Sequence, residues 1–320
     1  LGKACYDKLK KKTKEAGGKM KTIGILGMGA IGGMLASHIV DHGSDTVYIL
    51  GDEERIERYN NQNWICVNGK EYTLMGMTPK NAEILDLIIL AVKYHHLKEV
   101  IPFMAPFIGD HTTIVSLMNG IDSENLVGEV YGMDKIVHAF IVAISAVKKG
   151  RAIQATAGEV VFNSIRGDQE KVAALSSFFK RNGISHRIPD DILKEIWWKF
   201  MINVGVNQVS AVLDAPYGDC QSIEPIGELI DAAMMEVIEL SKYEKVHLTM
   251  ADLERWHLVL QDLAPEGLTS MLQDMRARRK TEVEMFAGVV QRLGIQHGYP
   301  TPVNDVLFHL IKAKEAQEGV

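Results

Sequence analysis

An α/β first half followed by an all-α second half is the fold class this sequence predicts, on three observations. A short apolar run, Thr22 to Leu26, leads into spaced glycines and then an apolar-periodic stretch, as a strand turning into a helix does. β-rich, almost continuously apolar runs recur as far as residue 164, as strands covered on both faces require. Beyond residue 189 strand-like alternation disappears, and long helical patterns broken near prolines take over. The predicted organisation is a basic extension at 1–19, an α/β domain at 20–188 and a helical domain at 189–320.

The glycine stretch is the most specific element. Gly27-Met28-Gly29-Ala30-Ile31-Gly32 meets the G-x-G-x-x-G pattern between the strand 22–26 and a helix running to about His42, with Gly43 ending it and a second strand at Thr46 to Leu50. Gly27 permits the tight turn, Gly29 lets the backbone approach a pyrophosphate, and Gly32 lets the helix pack closely on the sheet with its N-terminus toward the phosphates. This makes the first half a Rossmann-type nucleotide-binding domain. The runs 85–92 and 111–117 read as further parallel strands, and Asn68-Gly69 as a hairpin turn between WICV and KEYTL. Runs 136–148 and 158–164 extend the sheet, 176–183 closes a helix, and HRIPD at 186–190 leads into the second domain. Lys93 and Asn119 stand at strand ends, where an open α/β sheet places ligands. A surface lysine and an asparagine turn account for them equally well.

In the second half the periodicity predicts helices at about 190–213, 222–245, 250–262, 269–292 and 301–315, with Pro216, Pro225, Pro265 and Pro300 near the breaks. The first carries IWWKFMINVGVN, in which Lys199, Asn203 and Asn207 recur every four residues. Four residues advance a helix by about 400°, so the three side chains form one stripe that drifts by roughly 40° per step. Spacing alone leaves open a solvated stripe, a pair of core asparagines or a site wall. Trp197 and Trp198 cannot face the same core. In the fourth helix Ser270 suits a cap, and the basic run at 276–280 followed by Glu282 and Glu284 suits a solvated, ion-paired face.

Composition narrows the function classes. The chain has 320 residues, 47% hydrophobic, and a net charge of −6. Seven lysines against Asp7 and Glu15 make residues 1–19 basic, so the remainder is markedly acidic, which argues against nucleic acid or an anionic membrane as partner. The basic start lacks the apolar core of a secretory signal and reads as an extension outside the fold, with Met20 a natural start. No run is long enough for a membrane span. Cys5, Cys66 and Cys220 match no metal or redox spacing, and His247, His257 and His297 form no ligand cluster, so no metal site is expected. Reducing cytosol is the expected compartment. The apolar helix faces of the second half serve an intrachain core or a homodimer equally well.

These motifs in this order resemble the ketopantoate reductase (2-dehydropantoate 2-reductase) family over about residues 21–315. GMGAIGG, AVK with Lys93, MNG with Asn119, the lysine helix with Lys199, Asn203 and Asn207, and SMLQDMRARRKTEVEMFAG with Ser270 and Glu282 carry the resemblance. It implies reduction of 2-dehydropantoate to (R)-pantoate, in pantothenate and coenzyme A synthesis, and a stripe that is one wall of an interdomain cleft. Lys199 is then the general acid that meets charge developing on the ketone oxygen, a role that suits a partly desolvated lysine. Glu282 is the second catalytic residue, holding the substrate hydroxyl. Asn203, Asn207 and Ser270 bind substrate, and Asn119 bridges substrate and nucleotide. Gly27 to Gly32 (with Met28, Ala30 and Ile31), Asp52, Arg55 and Lys93 bind the cofactor, which the resemblance makes NADPH.

Two departures stand out. Asn207 is followed by Gln208 where the family commonly has proline, so the helix is expected to continue less kinked. Gly51 replaces an arginine that many relatives place after the second strand for the NADPH 2′-phosphate, and Asp52, Glu53 and Glu54 follow it. Acidic groups here favour the ribose hydroxyls of NADH, while Arg55 and a helix N-terminus favour a phosphate. NADH is therefore the alternative donor.

Overall fold

The computed structural model describes residues 20–61, 64–142, 146–156 and 158–320. The extension 1–19 and Cys5 lie outside the described residues. The chain separates into two compact units: residues up to Met118 with Asp122–Ile192, and Asn119–Ile121 with Leu193–Val320.

The first unit runs β1 (Thr22–Leu26), α1 (Ala30–His42), β2 (Thr46–Leu50), α2 (Glu53–Asn61), β3 (Ile65–Val67), β4 (Lys70–Tyr72), β5 (Met75–Met77) and β6 (Leu87–Leu90). It continues through α3 (Leu97–Phe103), β7 (Thr113–Ser116), α4 (Ser123–Tyr131), β8 (Ile136–Val142), β9 (Ala146–Lys149), β10 (Ala152–Ala155), β11 (Glu159–Asn163), α5 (Gln169–Arg181) and β12 (His186–Arg187). An eight-stranded sheet has the order β12-β11-β8-β7-β6-β1-β2-β5. It is parallel from β8 to β5, while β11 runs antiparallel to β8. Alternate residues feed two cores: Ile23, Ile25, Leu87 and Ile89 enter one, and Leu26, Ile88 and Leu90 the other. Burial on both faces is why these strands read as unbroken apolar runs.

Asn68 and Gly69 have φ of 49° and 84°, the left-handed pair that closes the β3–β4 hairpin. The expected single strand 136–148 is two. Residues of β8 are buried almost without interruption, whereas β9 alternates half-buried and exposed side chains. The first pattern suits a doubly covered strand and the second a one-sided sheet, so β9 joins a separate four-stranded sheet of order β4-β3-β10-β9.

The second unit holds α6 (Ile192–Ile202), a π-helical turn (Asn203–Asn207), α7 (Gln208–Leu213), α8 (Tyr217–Ser222), α9 (Glu224–Tyr243), α10 (Met250–Gln261), α11 (Ser270–Arg276), α12 (Ala287–His297) and α13 (Pro302–Glu318). Two expectations are corrected. The lysine helix does not continue regularly past Asn203 but widens into the π turn. The expected helix 269–292 ends at Arg276 and resumes only at Ala287, with Arg278 at a φ of 51°. At the second of these, tertiary acceptors compete for the backbone donors. The Thr281 N–H bonds the Glu315 carboxylate at 2.8 Å and the Ala287 N–H bonds Oε1 of Gln208 at 3.2 Å, in place of helical carbonyls. The basic run does make ion pairs, Arg276 with Asp214, Arg278 with Glu318 and Arg279 with Asp274. Among the described residues no helix is long and apolar enough to cross a membrane.

Candidate active site

The glycine turn divides its labour by space. Gly27 has a φ of 102°, and a Cβ there would lie 2.4 Å from the Ala91 carbonyl oxygen. A Cβ on Gly32 would lie 2.0 Å from the Gly27 oxygen. Over Gly29, by contrast, a Cβ would meet only the Ala91 oxygen, at 4.0 Å. The backbone there is open to a ligand. Gly29 is also the N-cap of α1 and supplies no side-chain cap, so the first-turn N–H groups face that opening. These residues fit a dinucleotide pyrophosphate. Lys148, absent from the sequence expectations, donates to the Met28 carbonyl from β9, and burial lowers its ammonium pKa. Its separation of 120 residues left no local signal.

At the end of β2 the acidic run is largely engaged. Asp52 Oδ1 accepts the Arg55 N–H at 2.7 Å and so caps α2, Glu53 pairs with Lys80 at 3.1 Å, and Glu54 pairs with Arg58 at 2.7 Å. The Arg55 chain lies against Gly51, whose Cβ would sit 3.3 Å from the Arg55 Cδ. Lys93 is exposed and precedes a single 3₁₀ turn, Tyr94–His96.

In the second unit Lys199 lies in the last turn of α6, and its ammonium donates to Oδ1 of Asn119 at 3.0 Å. Asn207 Nδ2 donates to Oδ1 of Asn203 at 3.3 Å across the π turn, and both asparagines are buried. Nδ2 of Asn203 is buried with no hydrogen-bond partner among the described residues. A buried donor left unpaired costs about 1–3 kcal/mol, so it marks a place where a ligand acceptor gains most. Glu282 is buried on the irregular 277–286 link. Three residues on, Met285 packs against Gly120, whose Cβ would lie 2.7 Å from the Met285 Cγ. This brings the Glu282 segment to the turn that carries Asn119. Gly120 itself sits at a φ of 88°, so the turn needs both its conformation and its missing side chain.

Ser270 is exposed at the first residue of α11, and Thr269, not Ser270, caps that helix by accepting the Leu272 N–H at 3.2 Å. α11 packs on the stretch that follows Asn203. The tryptophans do diverge. Trp198 donates to the Asp252 carbonyl at 2.9 Å beneath the Arg255 guanidinium, 3.7 Å from its ring, while Trp197 meets Phe200 edge-on. His257 and His297 pair with Asp231 and Glu244.

An open glycine turn on a parallel sheet, followed by a helical unit carrying a lysine–asparagine pair, defines an oxidoreductase with an NAD(P)-binding Rossmann-type domain. The family model described as Ketopantoate reductase PanE/ApbA matches residues 23–167, and that of its C-terminal part matches 191–315. The chain belongs to the ketopantoate reductase family. A 2-dehydropantoate 2-reductase of Aquifex aeolicus is 28% identical, the match covering 91% of this chain and 96% of the relative. One of Lactococcus lactis is 26% identical over 92% and 97%. D-mandelate dehydrogenase, solved with NADH and anilino(oxo)acetate, superposes with a TM-score of 0.85 at 23% identity, covering 93% of this chain and 99% of that one. At that identity the likeness is one of fold.

Proposed function

We propose that this protein reduces 2-dehydropantoate to (R)-pantoate with NADPH, Lys199 serving as general acid. The observation that carries the reading is the Lys199 ammonium held 3.0 Å from Asn119 Oδ1. The bond fixes the direction of a cation beside a polar, buried helix face, as a proton donor aimed at a developing alkoxide requires. When bound, the nicotinamide supplies the hydride; the chain supplies the proton and the orientation. Lys199 passes a proton to the ketone oxygen as charge gathers there. The unpaired Nδ2 of Asn203 donates to the keto acid's carboxylate, with Asn207 bracing Asn203 from the next turn. Glu282 accepts the substrate hydroxyl, and a substrate without that hydroxyl forgoes this bond. Ser270 adds a hydroxyl at the rim, and Asn119 joins the nucleotide and substrate sides.

For the donor, the turn at Gly27–Gly32 holds the pyrophosphate and Lys93 adds positive charge on the nucleotide side. NADPH is favoured over NADH because the acidic run after β2 is engaged: Asp52 caps α2, and Lys80 offsets Glu53. Arg55, folded against Gly51, takes the place of the missing arginine. The test is a panel of branched 2-keto acids assayed with both donors. A substrate other than 2-dehydropantoate preferred by about tenfold in kcat/KM, some 1.4 kcal/mol, overturns the substrate assignment.

A further inference from the structure

Gln208, the residue that departs from the family pattern, is fully buried and bonds in three directions. Its Nε2 donates to the Val204 carbonyl at 2.7 Å and to Asn304 Oδ1 at 3.0 Å, and its Oε1 accepts the Ala287 N–H at 3.2 Å. Val204 lies within the π turn, between Asn203 and Asn207. In an α-helix its carbonyl would accept the backbone N–H of Gln208, but that N–H turns to the Gly205 carbonyl instead. The side-chain amide thus bonds the carbonyl that its own backbone N–H would have met in a regular α-helix. At its other end, the same amide satisfies the first N–H of α12, whose own N-cap, Phe286, makes no side-chain cap. That helix start anchors the link carrying Glu282.

The amide can point only one way. Asn304 Nδ2 donates to Glu236 Oε2 at 2.7 Å and to the Ala233 carbonyl at 3.2 Å, which turns its Oδ1 toward Gln208 Nε2. Glu236 also accepts the N–H groups of Val303 at 2.8 Å and Asn304 at 3.1 Å. Gln208 therefore cannot flip without leaving two donors face to face.

We infer that Gln208 is a positioning residue that sets the spacing between the Asn203–Asn207 pair and Glu282, and so the keto-acid geometry the site accepts. The inference rests on the proposed reading that these three side chains hold the substrate. A bond broken on either side lets one wall shift against the other, and a misplacement near 1 Å costs a reaction about 100-fold.

A double-mutant cycle tests it. Gln208→Met keeps the volume and removes all three bonds. It should lower kcat/KM for 2-dehydropantoate by about tenfold or more while the dinucleotide Kd stays within about twofold. In a Glu282→Gln background the same change should cost under about threefold, since the group it positions is already altered. Should the methionine variant not fold, Gln208→Glu, which keeps the acceptor for Ala287 and loses the amide donor, takes its place in the cycle. Equal losses in both backgrounds, or no loss in either, overturn the coupling alone. A Glu282→Gln enzyme with unchanged kcat/KM overturns the reading of the site, and this inference with it.

Discussion

The Lys199 ammonium and the Asn119 amide oxygen meet at 3.0 Å across a separation of 80 residues. One stands at the last turn of a helix, the other on a loop after a strand, and neither position makes the pair without the other. A cation directed by a fixed acceptor is ready to act as an acid. Lys199→Ala should fold, retain dinucleotide affinity and lose kcat by about 10²–10⁴-fold, the range for a removed proton donor. Steady-state kinetics at neutral pH decide it, and retention of a tenth of the parent kcat would sink the assignment.

Glu282→Ala should act on the keto acid and spare the nucleotide. The Glu282 side chain is buried in the second unit, while the glycine turn is built by the first. We expect kcat/KM to fall by about 100-fold or more, as for a lost contact to a substrate hydroxyl, with dinucleotide affinity nearly unchanged. Fluorescence titration of the variant with NADPH checks this. Parallel loss of both would mark Glu282 as structural or cofactor-facing.

Two glycines of the turn should fail in different ways. At Gly27 both the left-handed φ and the Ala91 oxygen oppose a side chain, so Gly27→Ala should lower Tm and soluble yield. Gly29 has open space, so Gly29→Ala should leave Tm within about 2 °C yet weaken dinucleotide binding about tenfold or more by obstructing the phosphates. Calorimetry with cofactor titration separates the outcomes. Unchanged affinity in Gly29→Ala would show that the pyrophosphate lies elsewhere.

Donor choice should depend on Arg55. Removing its guanidinium withdraws about 1–3 kcal/mol from a 2′-phosphate and little from two hydroxyls. Arg55→Ala should therefore reduce kcat/KM with NADPH about tenfold or more and alter that with NADH by less than about twofold. A parent enzyme that already favours NADH tenfold would defeat the NADPH assignment outright.

Stability should carry two opposing pH dependences from groups the chemistry does not use. Burial raises the Glu124 carboxyl from its ordinary 4.5 to about 7, so the folded state binds the extra proton and loses stability as pH rises through that window. Burial lowers His138 from 6.5 to about 4, so the unfolded state binds the extra proton and stability is lost as pH falls through that window. Relative to the parent, the Tm of Glu124→Gln should improve progressively from pH 4.5 to 7. That of His138→Leu should improve progressively from pH 6.5 to 4. Differences that stay constant with pH in both variants would show that neither group titrates across folding.

Local chemistry made much of this molecule legible. Gly27, Gly29 and Gly32 announced the βα turn because their spacing between a strand and a helix is a local pattern, in which Gly27 takes a left-handed φ and a Cβ on Gly32 would strike the Gly27 oxygen. The apolar runs announced the sheet because strands covered on both faces need nothing else. The four-residue recurrence of Lys199, Asn203 and Asn207 announced a helix face for the same reason.

By itself, then, the sequence determined the order of the elements, the nucleotide turn and which polar side chains share a helix, since these follow from periodicity and steric allowance along the chain. Tertiary structure alone decided where regular helices yield. At the break between Arg276 and Ala287, distant side chains, Gln208 across to Ala287 and Glu315 across to Thr281, take backbone donors that a continuous helix would have used. It also decided that β9 leaves the main sheet. Thr269 rather than Ser270 caps α11, and Asp52 caps α2. These two caps are local choices between neighbouring side chains, whereas the bonds of Glu315 to Thr281 and of Gln208 to Ala287 join groups that only folding brings within about 3 Å of one another, and no local pattern records them.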